Sequence, residues 1–111
     1  MTDSSILLTI AVLGGTGKEG KGLAYRWAKA GYHVHIGSRD AAKAQTAATE
    51  VMNLLDGDAA VEGLSNLEAA QKADIVVLTV PYAAHASTLE SVRDALKGKI
   101  LVDVTVPLVP P

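Results

Sequence analysis

Ile6-Leu7-Leu8-Thr9-Ile10-Ala11-Val12-Leu13-Gly14-Gly15-Thr16-Gly17-Lys18-Glu19-Gly20 decides how this chain folds. Ile6 to Leu13 is apolar except for Thr9. A continuous apolar run of that length reads as a strand buried on both faces, as in the middle of a parallel sheet. The run halts at Gly14-Gly15, and the period then changes. From Gly17 to Ala30 the apolar residues Leu23, Ala24, Trp27, Ala28 and Ala30 recur at helical spacing, and Gly31 supplies the stop. A buried strand, a glycine turn and a helix therefore follow one another without a linker.

The alternation continues outward from that unit. His33 to Ile36 reads as a second strand ending at Gly37-Ser38-Arg39, and Asp40 to Leu55 as an Ala-rich helix closed by Asp56-Gly57-Asp58. Ala59 to Glu62 reads as a weak third strand. Ser65-Asn66-Leu67-Glu68 has the form of a capping box that opens a short helix. Asp74 to Val80 is a further apolar strand stopped by Pro81, Ala84 to Leu96 a helix ended by Gly98, and Ile100 to Val104 a fifth strand. Connections this short, with right-handed crossovers, predict a single α/β domain over 1–111. Its parallel sheet is doubly wound in the order 3-2-1-4-5. The closing Pro107, Pro110 and Pro111 cannot continue a central strand or a helix, so this end reads as the exit from a domain.

Composition narrows the function classes. The 111 residues are 49% hydrophobic, which excludes disorder, but only 4% aromatic with no Phe. The core must be made of Ala, Val, Leu and Ile, which suits helices packed closely on a sheet. A net charge of -2 with few aromatics argues against a nucleic-acid partner, which needs a basic stripe or stacking platforms. Absence of cysteine removes disulfides, thiolate metal ligands and a thiol nucleophile. No apolar run is long enough to span a membrane, and the N-terminus lacks a basic leader, so a soluble cytoplasmic protein is expected.

The glycine turn carries the first chemical signal. Gly15, Gly17 and Gly20 form G-x-G-x-x-G directly after a buried strand and at the start of a helix, the context that gives this pattern meaning. The first glycine permits the tight turn and the second lets the backbone approach a pyrophosphate. The third lets helix pack on strand, and Gly22 is expected to extend that packing. Free N–H groups and the positive end of the helix dipole then face the phosphates. A phosphate loop of the G-x-x-x-x-G-K-[ST] kind overlaps at Gly15, Gly20 and Lys21, but Gly22 replaces the hydroxyl residue that would hold magnesium.

The end of the second strand carries the other. Sites selective for NAD place an acid there to bond the ribose 2′-hydroxyl, whereas this chain has Ser38-Arg39, with Lys43 one helical turn further on. Cations at the start of a helix oppose its dipole. An anion held between them would offset that cost. The 2′-phosphate of NADP(H) is such an anion, with Ser38 as hydroxyl donor and Arg39 capable of a forked contact.

With these blocks, and with DIVVLTVPYAAHA and KILVDVTVPLVPP further on, the chain resembles the N-terminal, Rossmann-like domain of the F420-dependent NADP oxidoreductase family, from about Ile6 to the end. The resemblance implies that Gly15, Thr16, Gly17, Lys18, Glu19 and Gly20 line the pyrophosphate turn and that Ser38, Arg39 and Lys43 hold the 2′-phosphate. It implies that Thr79, Val80, Pro81 and Tyr82 border the nicotinamide half, with Val109 near the meeting point of the two cofactors. The family moves a hydride between NADP(H) and the deazaflavin coenzyme F420, a reaction of two stacked rings that needs no nucleophile, and no catalytic residue is assigned here. Members carry a further C-terminal half that closes over the deazaflavin and mediates dimerisation. The resemblance accordingly implies a homo-oligomer or a missing C-terminal half, the chain then being a fragment, a truncated product or a domain that works with a partner chain.

Other residues carry less. His33 and His35 share one face of a strand, but no third metal ligand accompanies them. His85 reads as a surface histidine near a helix start, Trp27 as packing, and Asp103 and Thr105 as polar ends of a strand. Two further readings stand beside the family's reaction: a binding module that senses the NADPH/NADP ratio, and a small reductase using another acceptor such as an imine or a ferric chelate.

Overall fold

The computed structural model describes residues 8–14, 16–55, 60–80 and 82–104, with the side chain of Tyr82 excepted. Five strands form one sheet: β1 (Thr9–Leu13), β2 (His33–Ser38), β3 (Val61–Ser65), β4 (Ile75–Leu78) and β5 (Ile100–Asp103). Every pairing is parallel and the order is β3-β2-β1-β4-β5, as the alternation predicts. Helices α1 (Lys18–Lys29), α2 (Ala41–Leu54), α3 (Asn66–Gln71) and α4 (His85–Val92) make the crossovers. The last is flanked by tighter 3-10 turns at Tyr82–Ala84 and Arg93–Leu96, so the expected single helix from Ala84 to Leu96 is divided.

Alternation on the strands separates two cores. Ile10, Val12, Val34, Ile36 and Val77 face α1 and α2, where Ala24, Ala28, Ala44, Ala47, Ala48 and Val51 meet them. Ala11, Leu13, Val76, Leu78 and Val80 face the other way, onto Ala69, Ala70 and Ala73 and onto Val92 of α4. Alanine-lined helix faces bring helix backbones close to the sheet. The extreme case is Gly63, where an added Cβ would overlap the backbone of Ala44 and Gln45. Trp27 is partly buried against the first of these cores, as its spacing predicts.

Two features depart from the sequence reading. The third strand starts at Val61 rather than Ala59, and runs to Ser65 because Val34 to Ser38 pair with Val61 to Ser65 in register. Gly22 does not extend the packing of α1: it is exposed, and nothing lies within 4 Å of where its Cβ would be. The strand β5 is at the edge, as the expected order requires, and on it Ile100, Leu101 and Val102 are 62%, 42% and 41% exposed. The cap at Ser65 is as expected, and Asp40 supplies one that the sequence reading did not name. Asp40 accepts from the N–H of Ala42 at 2.9 Å, and Ser65 accepts from that of Glu68 at 3.2 Å, with the Ser65 hydroxyl 3.3 Å from Glu68 Oε1.

Candidate functional site

All five strands end toward the same edge of the sheet, and β1 and β4 diverge there to opposite helical layers. A cleft of about 700 Å³ opens at that point. Crevices at such a reversal of strand order are where open α/β sheets bind ligands. Its lining includes Thr16, Gly17, Lys18, Glu19, Gly20, Ser38, Arg39, Lys43, Thr79 and Val80, all of them anticipated from the sequence. Gly15, Pro81, Val109 and the side chain of Tyr82, anticipated with them, lie outside the described residues.

One wall is the glycine turn. Gly14 leaves β1 with φ +72, and its N–H donates to the Gly37 carbonyl at 2.9 Å, extending the β1–β2 ladder by one bond. Only glycine is at ease here, because a side chain would also strike Val80. Gly17 then serves as N-cap of α1 without any side-chain hydrogen bond to the helix. Among the described residues the first amides of α1 thus have no acceptor, an arrangement suited to an anion. The space beside Gly17 is open, with nothing within 4 Å of a Cβ placed on it. Gly20, one turn on, is buried against the sheet.

The opposite corner is the end of β2. Ser38 is nearly buried, and its Oγ accepts from the Asp40 N–H at 3.2 Å, which leaves its own O–H to donate elsewhere. Arg39 and Lys43 flank the start of α2, and among the described residues neither takes part in an ion pair. Lys43 occupies the first turn of a helix that has no acid in that turn beyond its cap Asp40. Two unpaired cations at a positive helix end repel each other and the dipole, and an anion relieves both repulsions. By contrast Lys21, which faces away, is bound to Glu50 at 2.8 Å.

The floor is formed by residues the sequence reading did not pick out. Asn66 is 6% exposed and Thr88 5% exposed, and both line the cleft with Asp40 and Ala84. Asparagine after a capping serine, or threonine within a helix, carries no sequence signal of this kind. Thr79 is held in place by its hydroxyl, which donates to the Leu13 carbonyl at 2.9 Å. His85 is not a bare surface histidine: its Nε2 lies 2.7 Å from Asp103 Oδ2, tying the start of α4 to the end of β5. His35 is apart from the cleft. Its Nδ1 is buried without a partner, and its Nε2 stands 3.5 Å from Glu62. Burial holds its pKa below the usual 6.5, with Glu62 opposing and Lys72 and His33 adding to the shift. Desolvation wins because Glu62 is itself largely exposed, and water screens its charge.

Comparison with known proteins places this geometry among relatives. A family profile described as NADP oxidoreductase, coenzyme F420-dependent, matches residues 9–107. A protein of Methanothermobacter marburgensis named F420-dependent NADP reductase is 53% identical over 102 residues, which cover 91% of this chain and 46% of that protein. A solved structure from Arthrobacter sp. FB24 is 32% identical with a TM-score of 0.73, over 88% of this chain and 44% of that one. The imine reductase BcSIRED from Bacillus cereus BAG3X2 is 28% identical with a TM-score of 0.62, over 87% of this chain and 31% of that one. The chain spans about half the length of the curated relatives it matches.

Proposed function

The chain belongs to the coenzyme F420-dependent NADP oxidoreductase family, and from that premise we propose that it is the NADP(H)-binding unit of an enzyme exchanging a hydride with coenzyme F420. The observation that carries this reading is the pair of unpaired cations, Arg39 and Lys43, across the cleft from an uncapped helix start. One ligand that places an anion at each position is a dinucleotide with a 2′-phosphate. Its pyrophosphate would take the free amides at Lys18 and Glu19. Its 2′-phosphate would take the guanidinium of Arg39, the ammonium of Lys43 and the free O–H of Ser38.

When bound, the nicotinamide supplies or accepts the hydride. This chain's part is to orient and to exclude water. Thr79, fixed to Leu13, and Val80, packed on Gly14, form the wall expected beside the nicotinamide half. Pro81, Tyr82 and Val109 belong to the same expectation. Ring stacking at about 3–3.5 Å suffices for the transfer, so no proton-moving side chain is assigned. The exposed Ile100, Leu101 and Val102 of β5 fit a surface that a further segment or subunit covers. No helix among the described residues is long and apolar enough to cross a membrane.

The similarity to BcSIRED favours a second reading, in which the same unit serves an imine acceptor. Mixing the chain with NADPH and oxidised F420, and following the deazaflavin absorbance, tests the first. Bleaching that depends on the protein supports hydride transfer to F420. Bound NADPH that reduces neither F420 nor an imine assigns the chain to nucleotide binding alone, and protein-dependent oxidation of NADPH by an imine, with F420 left unbleached, selects the second reading.

A further inference from the structure

We propose that Asn66 reads the adenosine ribose of NADP(H), its side-chain amide donating to the ribose 3′-hydroxyl oxygen; this rests on the NADP(H) reading above. The side chain is almost wholly buried, yet its hydrogen bonding is half used. Oδ1 accepts from the Gly14 N–H at 3.4 Å, a second branch of a donor already bonded to the Gly37 carbonyl at 2.9 Å. That contact orients the amide, so Nδ2 turns the other way. Among the described residues no hydrogen bond from Nδ2 accompanies the one that Oδ1 accepts, and Asn66 lines the cleft, where a ligand could take that donor. An amide held in a protein interior with idle donors costs stability unless water or a ligand completes it.

Position identifies the ligand group. A Cβ on Gly37 would come within 2.8 Å of Asn66 Oδ1, so the amide lies directly over the residue preceding Ser38. Its other neighbour, Gly14, opens the glycine turn. The amide thus stands between the corner expected to hold the 2′-phosphate and the turn expected to hold the pyrophosphate. The part of the dinucleotide that joins those two groups is the adenosine ribose. Its 3′-hydroxyl, adjacent to the 2′-phosphate, is the acceptor left over once the phosphates are held. Gly37 leaves the space, Ser65 fixes the start of α3, and pairing of Ser38 with Ser65 sets the level.

The test is a binding cycle with two probes, adenosine 2′,5′-bisphosphate and its 3′-deoxy analogue, on the wild-type chain and Asn66→Ala. Removal of the 3′-hydroxyl should weaken wild-type binding about fivefold, the size of one ordinary hydrogen bond, and should leave Asn66→Ala unaffected. An equal loss in both proteins overturns the proposal, because a merely structural asparagine does not distinguish the probes. Should Asn66→Ala not fold, the wild-type chain decides alone: its Asn66 side-chain ¹⁵N–¹H resonances should shift with the bisphosphate and much less with the deoxy analogue. Resonances that respond alike to both, or to neither, overturn it. If the wild-type chain binds neither probe nor NADPH, the NADP(H) reading itself has failed, which is a different result from unequal binding without the cycle.

Discussion

Gly63 of β3 lies directly against Ala44 of α2, so close that a methyl group on Gly63 would overlap the Ala44 backbone carbonyl. No side chain can rotate out of the way, since the obstacle is helix backbone. Gly63→Ala should destabilise the fold by at least about 2 kcal/mol through overpacking. Gly22→Ala, on the open side of α1, should instead stabilise it by about 0.5–1 kcal/mol, the gain for a helical glycine with room for a methyl group. Urea unfolding midpoints of the two variants should move in opposite directions. Equal shifts would mean that α2 does not rest on β3 as described.

Lys99 closes the far end of α3. Its Nζ donates to the carbonyls of Ala70, Gln71 and Ala73, each at 2.7 Å. Those carbonyls end a helix whose last turn contains no other cation. Lys99→Met, which keeps the unbranched apolar stem and removes the donors, should cost about 2 kcal/mol of stability. Affinity for NADPH measured below the unfolding transition should not change, because the contact lies at the opposite edge of the sheet from the cleft.

The buried His35 makes stability depend on pH. Its folded-state pKa lies below the unfolded value of 6.5, chiefly through burial. The unfolded chain therefore binds the proton more readily, and stability rises with pH in this window. The contribution is full above the unfolded value and is lost as pH falls below it. Between pH 7.5 and 5.5 the wild-type chain should lose more stability than His35→Leu, whose slope should be flatter. Glu62, Lys72 and His33 are present in both proteins, so the difference between the two slopes isolates His35. A His35→Leu slope as steep as wild type would assign the pH response elsewhere.

Gly17 is where a ligand, rather than the fold, needs the missing side chain. Nothing of the protein lies within 4 Å of a Cβ there, and its backbone is extended rather than left-handed. Gly17→Val should cost only about 1 kcal/mol of stability, the loss of a favourable N-cap residue, and leave the domain folded while abolishing NADPH binding. Retained binding would show that the turn does not approach the pyrophosphate.

What the sequence could reveal followed from how local each signal is. Strand β1, the glycine turn and α1 are contiguous, and period and glycine placement specify them. Arg39 and Lys43 were visible because two cations at a helix start contradict a local rule. The weak third strand read over Ala59 to Glu62 had only local composition to bound it, whereas pairing with β2 sets it at Val61–Ser65. Gly22 was misread for a reason of angle. It lies about 200° around α1 from the buried Gly20, so it faces solvent. Asn66, Thr88 and the His85–Asp103 pair owe their roles to neighbours distant in sequence, which no spacing reveals.

The central claim is that the corner formed by Ser38, Arg39 and Lys43 holds the 2′-phosphate. Calorimetric titration of the wild-type chain and Arg39→Ala with NADPH and with NADH tests it most directly. The wild-type chain should prefer NADPH. Arg39→Ala should lose about ten- to a hundredfold in affinity for NADPH, equivalent to about 1.5–3 kcal/mol for a charge-assisted contact, with little change for NADH. Equal losses for both nucleotides, or no preference in the wild-type chain, would contradict it.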